Sequence, residues 1–309
     1  MADRPLFALT GATGFAGRAL VPLLLKKGAR VRALARRSAN RNIAAAAGDL
    51  EWIEGDLTTI PALEALVHGA DVVVHLAGAT KASDRDTFHR VNAIGAATIV
   101  DLARAASVGR FIHVSSLTAI RPHISAYAQS KAESEALAAA NRGAMPLAII
   151  RAPAILGPGD EATHALFSGL ARGFLPVPGG AAANYRFSVL DVEDAAEFIW
   201  ELAACPVEPV RIVAPSSHPS LGWGDVADSA SRVLGKKIRQ IRLSSPILAG
   251  AGRAADLAAR VTGRPQVFSS DKVRELLSGD WIAETPVSRP TPLDVTLRRC
   301  LAPFLPSDR

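Results

Sequence analysis

Short apolar segments alternate with longer segments of helical periodicity along the first half of the chain. The apolar segments read as strands at 6–9, 30–35, 50–56, 71–78, 110–116 and 146–153. Between them, apolar positions at helical spacing predict helices at 15–28, 61–69, 86–107 and 127–141. Strands of this kind, alternating with helices, indicate βαβ units. The pattern therefore predicts an α/β fold built on a doubly wound parallel sheet.

The alternation loosens after residue 155, where proline and glycine become frequent. We predict a core over 1–155 and a smaller C-terminal lobe over 156–309, interleaved with the core through a strand and helix at 189–204. Ligands of such sheets bind outside the carboxyl ends of the strands, so this lobe is expected to bind substrate. Residues 244–263 are predicted to form a further helix.

The composition describes a large globular chain without obvious targeting or metal-binding features. Of 309 residues, 49% are hydrophobic, and no apolar run approaches the roughly 18 residues that a membrane span requires. The N-terminus lacks the pattern of a signal peptide. Cys205 and Cys300 lie far apart, and the seven histidines are scattered, so no metal site is expected. These features predict a protein of the reducing cytoplasm that is not inserted in a membrane.

Three glycines follow the first predicted strand, within the stretch TGATGFAG (10–17). Gly11 allows a tight turn, Gly14 lets the backbone approach a pyrophosphate, and Gly17 lets the next helix pack closely on the strand. The start of that helix offers N–H groups and a positive dipole to a phosphate. The strand–turn–helix context predicts that the core is a dinucleotide-binding Rossmann fold.

The Gly-x-x-Gly-x-x-Gly spacing resembles the short-chain dehydrogenase/reductase superfamily, particularly its extended and atypical branches, which include the NAD-dependent epimerases and dehydratases. Further motifs follow in order: EGDL (54–57), HLAG (75–78), VN (91–92), RAP (151–153) and FSVLDVEDAA (187–196). RFIHVSS and AYAQSKAESE are also similar to the nucleotide-binding accessory subunit of respiratory complex I. The resemblance implies cofactor contacts at Thr10, Gly11, Thr13, Gly14, Phe15, Ala16, Gly17, Asp56, Leu57, Leu76, Ala77, Gly78, Asn92, Val114, Lys131, Ala152 and Pro153.

The formal net charge of +6 includes a cluster of seven basic residues within 26–41 that contains no acid. Such a cluster could be a solvated face or a nucleic-acid footprint. Its position at the end of the second predicted strand favours another role. There Ala35 replaces the acid that would bind an NAD ribose, and a guanidinium of Arg36 or Arg37 can bind a 2′-phosphate bidentately. We therefore expect NADP to be preferred over NAD, with no nucleic-acid partner.

Tyr127 and Lys131, in the stretch ISAYAQSK, are four residues apart and share one face of a predicted helix. An ammonium about 4 Å from the phenol, at an effective dielectric near 20, is worth on the order of 4 kcal/mol. That would lower the pKa of the phenol from about 10 to near 7, where acid–base catalysis is effective. The sequence predicts Tyr127 as the catalytic acid or base. Lys131 would tune its pKa and hold the nicotinamide ribose.

Ser115 and Ser116 end the strand RFIHVSS, and a hydroxyl there can hydrogen bond the substrate oxygen. The family pattern places Ser116 at the catalytic position, with Ser115 behind it. The alternative is that both are strand-end hydroxyls that complete a turn.

Two departures from the family pattern bear on the substrate. The stretch between Ser116 and Tyr127 is short, and Ala154 stands where many sugar-nucleotide enzymes have asparagine. Both argue against a nucleotide-sugar substrate, although Arg186 could still bind a phosphate. The predicted function is an NAD(P)-dependent oxidoreductase that moves hydride between nicotinamide and the carbonyl or alcohol carbon of a small molecule. The alternatives are a sugar-nucleotide epimerase or dehydratase and a non-catalytic NADPH-binding scaffold or sensor. A homodimer is one possible assembly.

Overall fold

The computed structural model describes residues 4–37, 48–82, 84–206, 208–263 and 266–305. Its strands are β1 (Leu6–Thr10), β2 (Arg30–Ala35), β3 (Leu50–Glu54), β4 (Val72–His75), β5 (Arg110–Ser116), β6 (Leu147–Ala152), β7 (Ala154–Leu156), β8 (Phe174–Pro178), β9 (Phe187–Asp191), β10 (Val210–Val213), β11 (Pro215–Ser216), β12 (His218–Leu221), β13 (Arg239–Leu243) and β14 (Thr285–Pro286). Its α-helices are α1 (Phe15–Lys26), α2 (Ile60–Val67), α3 (Arg85–Phe88), α4 (Gly95–Ala105), α5 (Ala126–Asn141), α6 (His164–Arg172), α7 (Val192–Ala204), α8 (Trp223–Leu234), α9 (Ser245–Thr262), α10 (Ser270–Leu276) and α11 (Leu293–Leu301).

The central sheet has seven parallel strands in the order β10-β6-β5-β4-β1-β2-β3. This confirms the predicted doubly wound α/β fold. The strand order reverses between β1 and β4, and a crevice opens at the carboxyl ends of strands on either side of such a point. The predicted glycine turn, the HLAG segment and the serine-ended strand all meet at this edge.

Helices cover both faces of the sheet, which explains why the central strands β1 and β4 are apolar at every position but the last. In β1, Phe7 and Leu9 point into a cluster with residues of α1 and α7, whereas Leu6 and Ala8 point into a second cluster with residues of α2 and α4. Fully burying a leucine or phenylalanine side chain stabilises the fold by about 1.5–3 kcal/mol. The packed sheet therefore provides a rigid base for the crevice.

The chain after residue 155 builds a lobe and also returns to the central sheet. β9 pairs with β7 and β12 in a three-stranded sheet, and β8 pairs with β13. Side chains of α6, α8 and α11 pack on these strands in a third cluster. α7 packs on the same cluster as α1, and β10 adds to the central sheet beside β6. The strand and helix predicted within 189–204 are present as β9 and α7, while the boundary between 1–155 and 156–309 stays a prediction.

The helix predicted over 86–107 is interrupted. α3 ends at Phe88, a π-helical turn occupies His89–Ile94, and α4 begins at Gly95. Such widened turns occur frequently at functional sites, and this one contains Asn92. The helix predicted over 244–263 is confirmed as α9. In the part of the chain that the structure describes, no helix combines the length and apolar character needed to cross a bilayer.

Candidate active site

The turn between β1 and α1 has the geometry that its glycines predict. Gly11 has a φ of +75°, and a Cβ on it would lie 2.6 Å from the backbone nitrogen of Ala77. A Cβ on Gly17 would lie 2.6 Å from the Cα of Ala12. Gly14 is exposed and begins α1 without a side-chain cap, which leaves the first N–H groups of the helix available to a phosphate. These residues fit a dinucleotide pyrophosphate.

Thr10 ties the ends of β1 and β4 together behind this turn. Its hydroxyl oxygen lies 2.7 Å from His75 Nδ1 and accepts a hydrogen bond from the backbone N–H of Ala77 at 3.3 Å. Because Thr10 is fully buried, its hydroxyl supports the crevice from behind rather than lining it. The residues predicted to lie at the opening are partly or fully exposed, namely Thr13, Phe15, Ala16, Leu76, Ala77 and Gly78.

Asn92 connects the HLAG segment to the helix that carries Tyr127. Its side-chain oxygen accepts a hydrogen bond from Ala79 N at 2.7 Å, and its Nδ2 donates to Ala79 O at 3.0 Å and to Ser130 Oγ at 2.9 Å. Ser130 in turn donates to the carbonyl of Tyr127. The side-chain amide of Asn92 is fully hydrogen bonded within the protein, and only 1% of the residue surface is exposed. Asn92 therefore holds the segment after β4 and the start of α5 in position on the two sides of the crevice.

Ser115 and Ser116 have different environments. Ser115 is buried and donates a hydrogen bond of 2.6 Å to the Glu135 carboxylate. The same carboxylate accepts hydrogen bonds from Nε and Nη2 of Arg151. Ser116 is partly exposed, and its hydroxyl accepts hydrogen bonds from Thr118 and interacts with the Tyr127 phenol. The geometry therefore favours Ser116 for substrate contact and gives Ser115 a supporting position.

Tyr127 lies at the first turn of α5, beside Ser116. Burial raises the pKa of its phenol to about 12, opposed by the hydrogen bond with Ser116 and reinforced by the negative charge of Glu275. The expectation that Lys131 lowers this pKa to near 7 is thus wrong for the protein alone. Loss of hydration dominates, and Lys131 makes no comparable contribution, so Tyr127 is protonated at neutral pH.

Lys131 is almost fully buried one turn further along α5. Its Nζ donates a hydrogen bond of 2.9 Å to the carbonyl of Val114 on β5. Burial lowers the pKa of this ammonium to about 8, partly offset by the charge of Glu135. Lys131 is therefore held at the crevice wall by the strand that also carries Ser116.

The carboxyl ends of β2 and β3 bring the basic and acidic residues of the predicted adenosine site together. Arg37 is highly exposed, and its Nε donates a hydrogen bond of 2.7 Å to Glu54. Asp56 accepts hydrogen bonds from the backbone and hydroxyl of Thr58, and these, with the charge of Arg36, hold its pKa below the usual range. Arg41, another member of the predicted basic cluster, lies outside the described residues.

The remaining predicted positions fall on both sides of the crevice. Ala152 ends β6 opposite Ser116 in the neighbouring strand, and Pro153 follows it. Leu57 packs near the start of α4, where a Cβ on Gly95 would lie 3.0 Å from its Cδ1. Arg186, predicted to bind a substrate phosphate, is half-exposed and forms an ion pair of 3.1 Å with Asp225.

Helix α10 is a part of the site to which the sequence assigned no residue. Asp271 accepts a hydrogen bond from Ala126 N at 2.8 Å, and Glu275 accepts one from Ser125 Oγ at 2.7 Å. Ser125 itself caps α5 by accepting from Ala128 N. In the sequence SSDKVRELLSGD, the i, i+4 spacing of Asp271 and Glu275 indicates that the two acids share one face of a helix. Only the tertiary fold shows that this face contacts the start of α5.

The short stretch between Ser116 and Tyr127 is held by the segment that follows α10. Arg121 donates to the carbonyls of Ser278 and Asp280, and its guanidinium lies 4.3 Å from the centre of the Trp281 ring. The Trp281 indole donates to the carbonyl of Glu275. This packing encloses the approach to Tyr127 on the side of the C-terminal lobe.

Two buried histidines lie under the crevice floor. His75 and His113 pair across β4 and β5 and stack with ring centres 5.4 Å apart. Burial lowers the pKa of His75 to about 3 and that of His113 well below its ordinary value. Both are therefore neutral at physiological pH. Within the described ranges, no group of three histidine, cysteine, aspartate or glutamate side chains is arranged to hold a metal ion.

Comparisons with known proteins agree with this geometry. Residues 7–213 match the model of the NAD dependent epimerase/dehydratase family. The chain is 40% identical over 292 residues to a ceramide reductase of Caulobacter vibrioides, covering 93% of this chain and 88% of that protein. It is 28% identical to the mitochondrial NADH-ubiquinone oxidoreductase 40 kDa subunit of Neurospora crassa, covering 77% of this chain and 62% of that one.

The fold is also similar to that of a UDP-glucuronic acid 4-epimerase from Bacillus cereus solved in complex with NAD. The TM-score is 0.71 at 16% identity, covering 96% of this chain and 97% of the epimerase. The sequence match extends through most of the central sheet and includes every motif of the crevice from the glycine turn to the end of β6. The chain therefore belongs to the NAD-dependent epimerase/dehydratase family and is a nicotinamide-dependent oxidoreductase or epimerase/dehydratase of the short-chain dehydrogenase type.

Proposed function

We propose that this enzyme is a carbonyl reductase that converts a ketone on a long-chain amide of the ceramide class to a secondary alcohol. The observation that carries the proposal is the 40% identity to a ceramide reductase along 93% of the chain. A match of this length includes the C-terminal lobe, where the substrate of this fold binds. The substrate class is therefore supported by more than the shared cofactor core.

The protonation state of Tyr127 supports the direction of the reaction. A phenol whose pKa is raised to about 12 is protonated at neutral pH, so Tyr127 carries the proton that a carbonyl oxygen must receive, although it is a weaker acid than a free phenol. Reduction of a ketone requires a donor, whereas epimerisation begins with removal of a proton from an alcohol. The proton that reduction requires is therefore present on Tyr127 at neutral pH.

Each of the three polar residues in the crevice has a separate role in the proposed reaction. A reduced nicotinamide supplies a hydride to the carbonyl carbon when it is bound. Tyr127 donates its proton to the carbonyl oxygen, so the ketone gains one hydride and one proton and becomes an alcohol. Ser116 donates a hydrogen bond to the same oxygen and stabilises the charge that develops there. Lys131, anchored at Val114, holds the ribose and keeps the proton donor oriented.

We further propose that the cofactor is NADP. Arg36 and Arg37 follow β2, where the 2′-phosphate of the adenosine ribose binds in this fold. No acid stands at the end of β2, and Glu54, which lies opposite Ala35 on the neighbouring strand β3, is paired with Arg37. The proposal also carries the expectation of a cytoplasmic enzyme, in keeping with the unpaired thiols of Cys205 and Cys300.

A non-catalytic scaffold or sensor is the second candidate, favoured by the 28% identity to the Neurospora 40 kDa subunit. A scaffold has no chemical need for Tyr127, Lys131 and Ser116 in one crevice. Turnover of any substrate separates the two candidates.

The test is incubation of the purified protein with NADPH and a ceramide whose sphingoid secondary alcohol has been replaced by a ketone. We expect NADPH oxidation and an alcohol product that contains two more hydrogens, detected by mass spectrometry. Tyr127→Phe should bind NADPH and form no product. Epimerisation of a UDP-sugar without reduction of the ketone would instead support the epimerase alternative, and binding of NADPH with neither reaction would support the scaffold.

A further inference from the structure

An apolar cavity of about 260 Å³ lies in the C-terminal lobe. Its floor is formed by Val177 and Pro178 of β8 and by Leu243 of the neighbouring strand β13. Trp223, at the start of α8, forms one side. Every lining side chain is apolar. A cavity of this kind is not a favourable place for water, and about 150 Å³ with aliphatic walls is already enough to bind a molecule of benzene size.

Helix α9 forms the roof of the cavity and is itself mostly exposed. Ile247 and Ala251 line the cavity although the Ile247 side chain is 58% exposed. Gly252 lets the helix approach α10, because a Cβ there would lie 3.1 Å from Ser270 and 3.2 Å from Val273. The edge of the cavity is therefore apolar and open to solvent, as the entrance for an apolar ligand would be.

Helix α10 borders both the cavity and the start of the helix that carries Tyr127. Leu276 lines the cavity, while the preceding residue, Glu275, binds Ser125 at the start of the helix that carries Tyr127. Asp271 binds the next residue, Ala126, from the same face of α10. One short helix thus contacts the two residues that precede Tyr127 with one face and lines the apolar cavity with the adjacent face.

The chemistry of the lining selects a class of ligand. A phosphate or sugar would require charged or hydrogen-bonding groups, and the lining contains no charged side chain. The basic residue that could have served a phosphate, Arg186, is paired with Asp225 in this structure. A saturated alkyl chain has no hydrogen bonds to lose on entering such a cavity, and it gains from leaving water.

We propose that this cavity binds an alkyl chain of the substrate and thereby selects long-chain over short-chain ketones. The inference rests on the proposed function, since it places the lipid tail while Tyr127 and Ser116 act on the ketone. Each buried methylene is expected to strengthen binding about fourfold. The enzyme should therefore show a marked preference for long chains in KM, with little change in kcat.

The kinetic test compares a substrate whose acyl and sphingoid chains are both long with a short analogue in which both chains are truncated around the same ketone. Ala251→Trp fills the cavity and is expected to raise KM for the long substrate about tenfold or more while leaving kcat/KM for the short one unchanged. Ala258→Trp, on the same helix and exposed but outside the lining, is the matched control and should behave as the native protein does. An equal loss on both substrates with Ala251→Trp would overturn the proposal.

A binding test does not depend on turnover. An N-acyl ethanolamine with bromine atoms on a saturated hexadecanoyl chain quenches the fluorescence of an indole that it touches. We expect quenching in the native protein and a marked reduction of it in Trp223→Phe, since Trp223 is the one of the four tryptophans that lines the cavity. Absence of Trp223-dependent quenching would overturn the inference. If Trp223-dependent quenching is observed but the protein reduces no ketone, the cavity binds an alkyl chain and only the proposed function is rejected.

Discussion

Ser125 donates a hydrogen bond of 2.7 Å to Glu275, although the two residues are 150 positions apart in the chain. Ser125 is the N-cap of α5, and Tyr127 follows two residues later, so this contact fixes the C-terminal lobe to the helix that carries Tyr127. The Glu275 carboxylate also contributes to the raised pKa of the Tyr127 phenol. A residue of the lobe therefore influences the phenol that we propose as the proton donor.

We predict that Glu275→Gln lowers the pKa of Tyr127, because the amide keeps the hydrogen bond from Ser125 and removes the negative charge. The chain contains only two tyrosines, so Tyr185→Phe leaves Tyr127 as the single phenol. Its ionisation can then be followed by the ultraviolet absorbance of tyrosinate. Asp271→Asn, a loss of charge on the same helix, should leave the titration unchanged. A titration that Glu275→Gln does not move would contradict the role assigned to the carboxylate.

The pH dependence of reduction should report Lys131 rather than Tyr127. Tyr127, with a pKa raised to about 12, stays protonated throughout the ordinary assay range, whereas Lys131, with a pKa lowered to about 8, loses its charge as the pH rises through that value. We expect kcat/KM to fall above a pH of about 8. Lys131→Arg, whose cation does not titrate in this range, should remove the alkaline decline even if its activity is low. If kcat/KM of Lys131→Arg still falls above a pH of about 8, the decline arises from the titration of another group.

Replacement of the two adjacent serines should have opposite consequences. Ser116→Ala is expected to lower kcat about a hundredfold, as loss of one oxyanion donor commonly does, with little change in stability. Ser115→Ala should leave kcat nearly unchanged but lower the free energy of unfolding by about 1–3 kcal/mol, since it deprives buried Glu135 of a donor. Steady-state kinetics and denaturant unfolding of both variants check this. The same loss of kcat in both would reject the distinction between them.

The sheet and the glycine turn were predictable from sequence because each is local. Strand periodicity and glycine spacing act over a few residues, and the structure confirms strands at 30–35 and 110–116 with the predicted bounds. The environment of Tyr127 was not predictable in this way. Its pKa is decided by burial and by Glu275, which reaches α5 only through the tertiary fold. The four-residue spacing from Tyr127 predicted that Lys131 lies on the same face of α5. It could not show that the Lys131 ammonium donates a hydrogen bond to the carbonyl of Val114 on β5.

Cofactor choice should depend on Arg36 and Arg37 together. Replacing both with alanine is expected to weaken NADPH binding about tenfold or more, since a charge-assisted hydrogen bond is worth about 1.5–3 kcal/mol, and to leave NADH binding unchanged. Arg30→Ala, a basic residue at the opposite end of β2, is the control for net charge. Dissociation constants for both nucleotides check the prediction. Equal binding of NADPH and NADH by the native protein would remove the basis for an NADP preference.

The buried histidine pair should make the protein sensitive to acid. An unfolded histidine titrates near pH 6.5, whereas burial lowers the pKa of His75 to about 3 and also lowers that of His113. Between these values the unfolded chain binds more protons than the folded one, so stability is complete above pH 6.5 and declines as the pH falls toward 3. Each histidine contributes up to about 1.36 kcal/mol per pH unit in that interval.

Denaturant unfolding at a series of pH values from neutral downward measures this slope. His75→Gln keeps a polar partner for Thr10 and removes one titrating group, so its free energy of unfolding should decline less steeply with acid than that of the native protein. At neutral pH the variant is expected to be less stable, because glutamine does not fill the space of a ring stacked on His113. The two stability curves should therefore converge as the pH falls. Parallel curves would show that protonation of His75 does not contribute to acid unfolding.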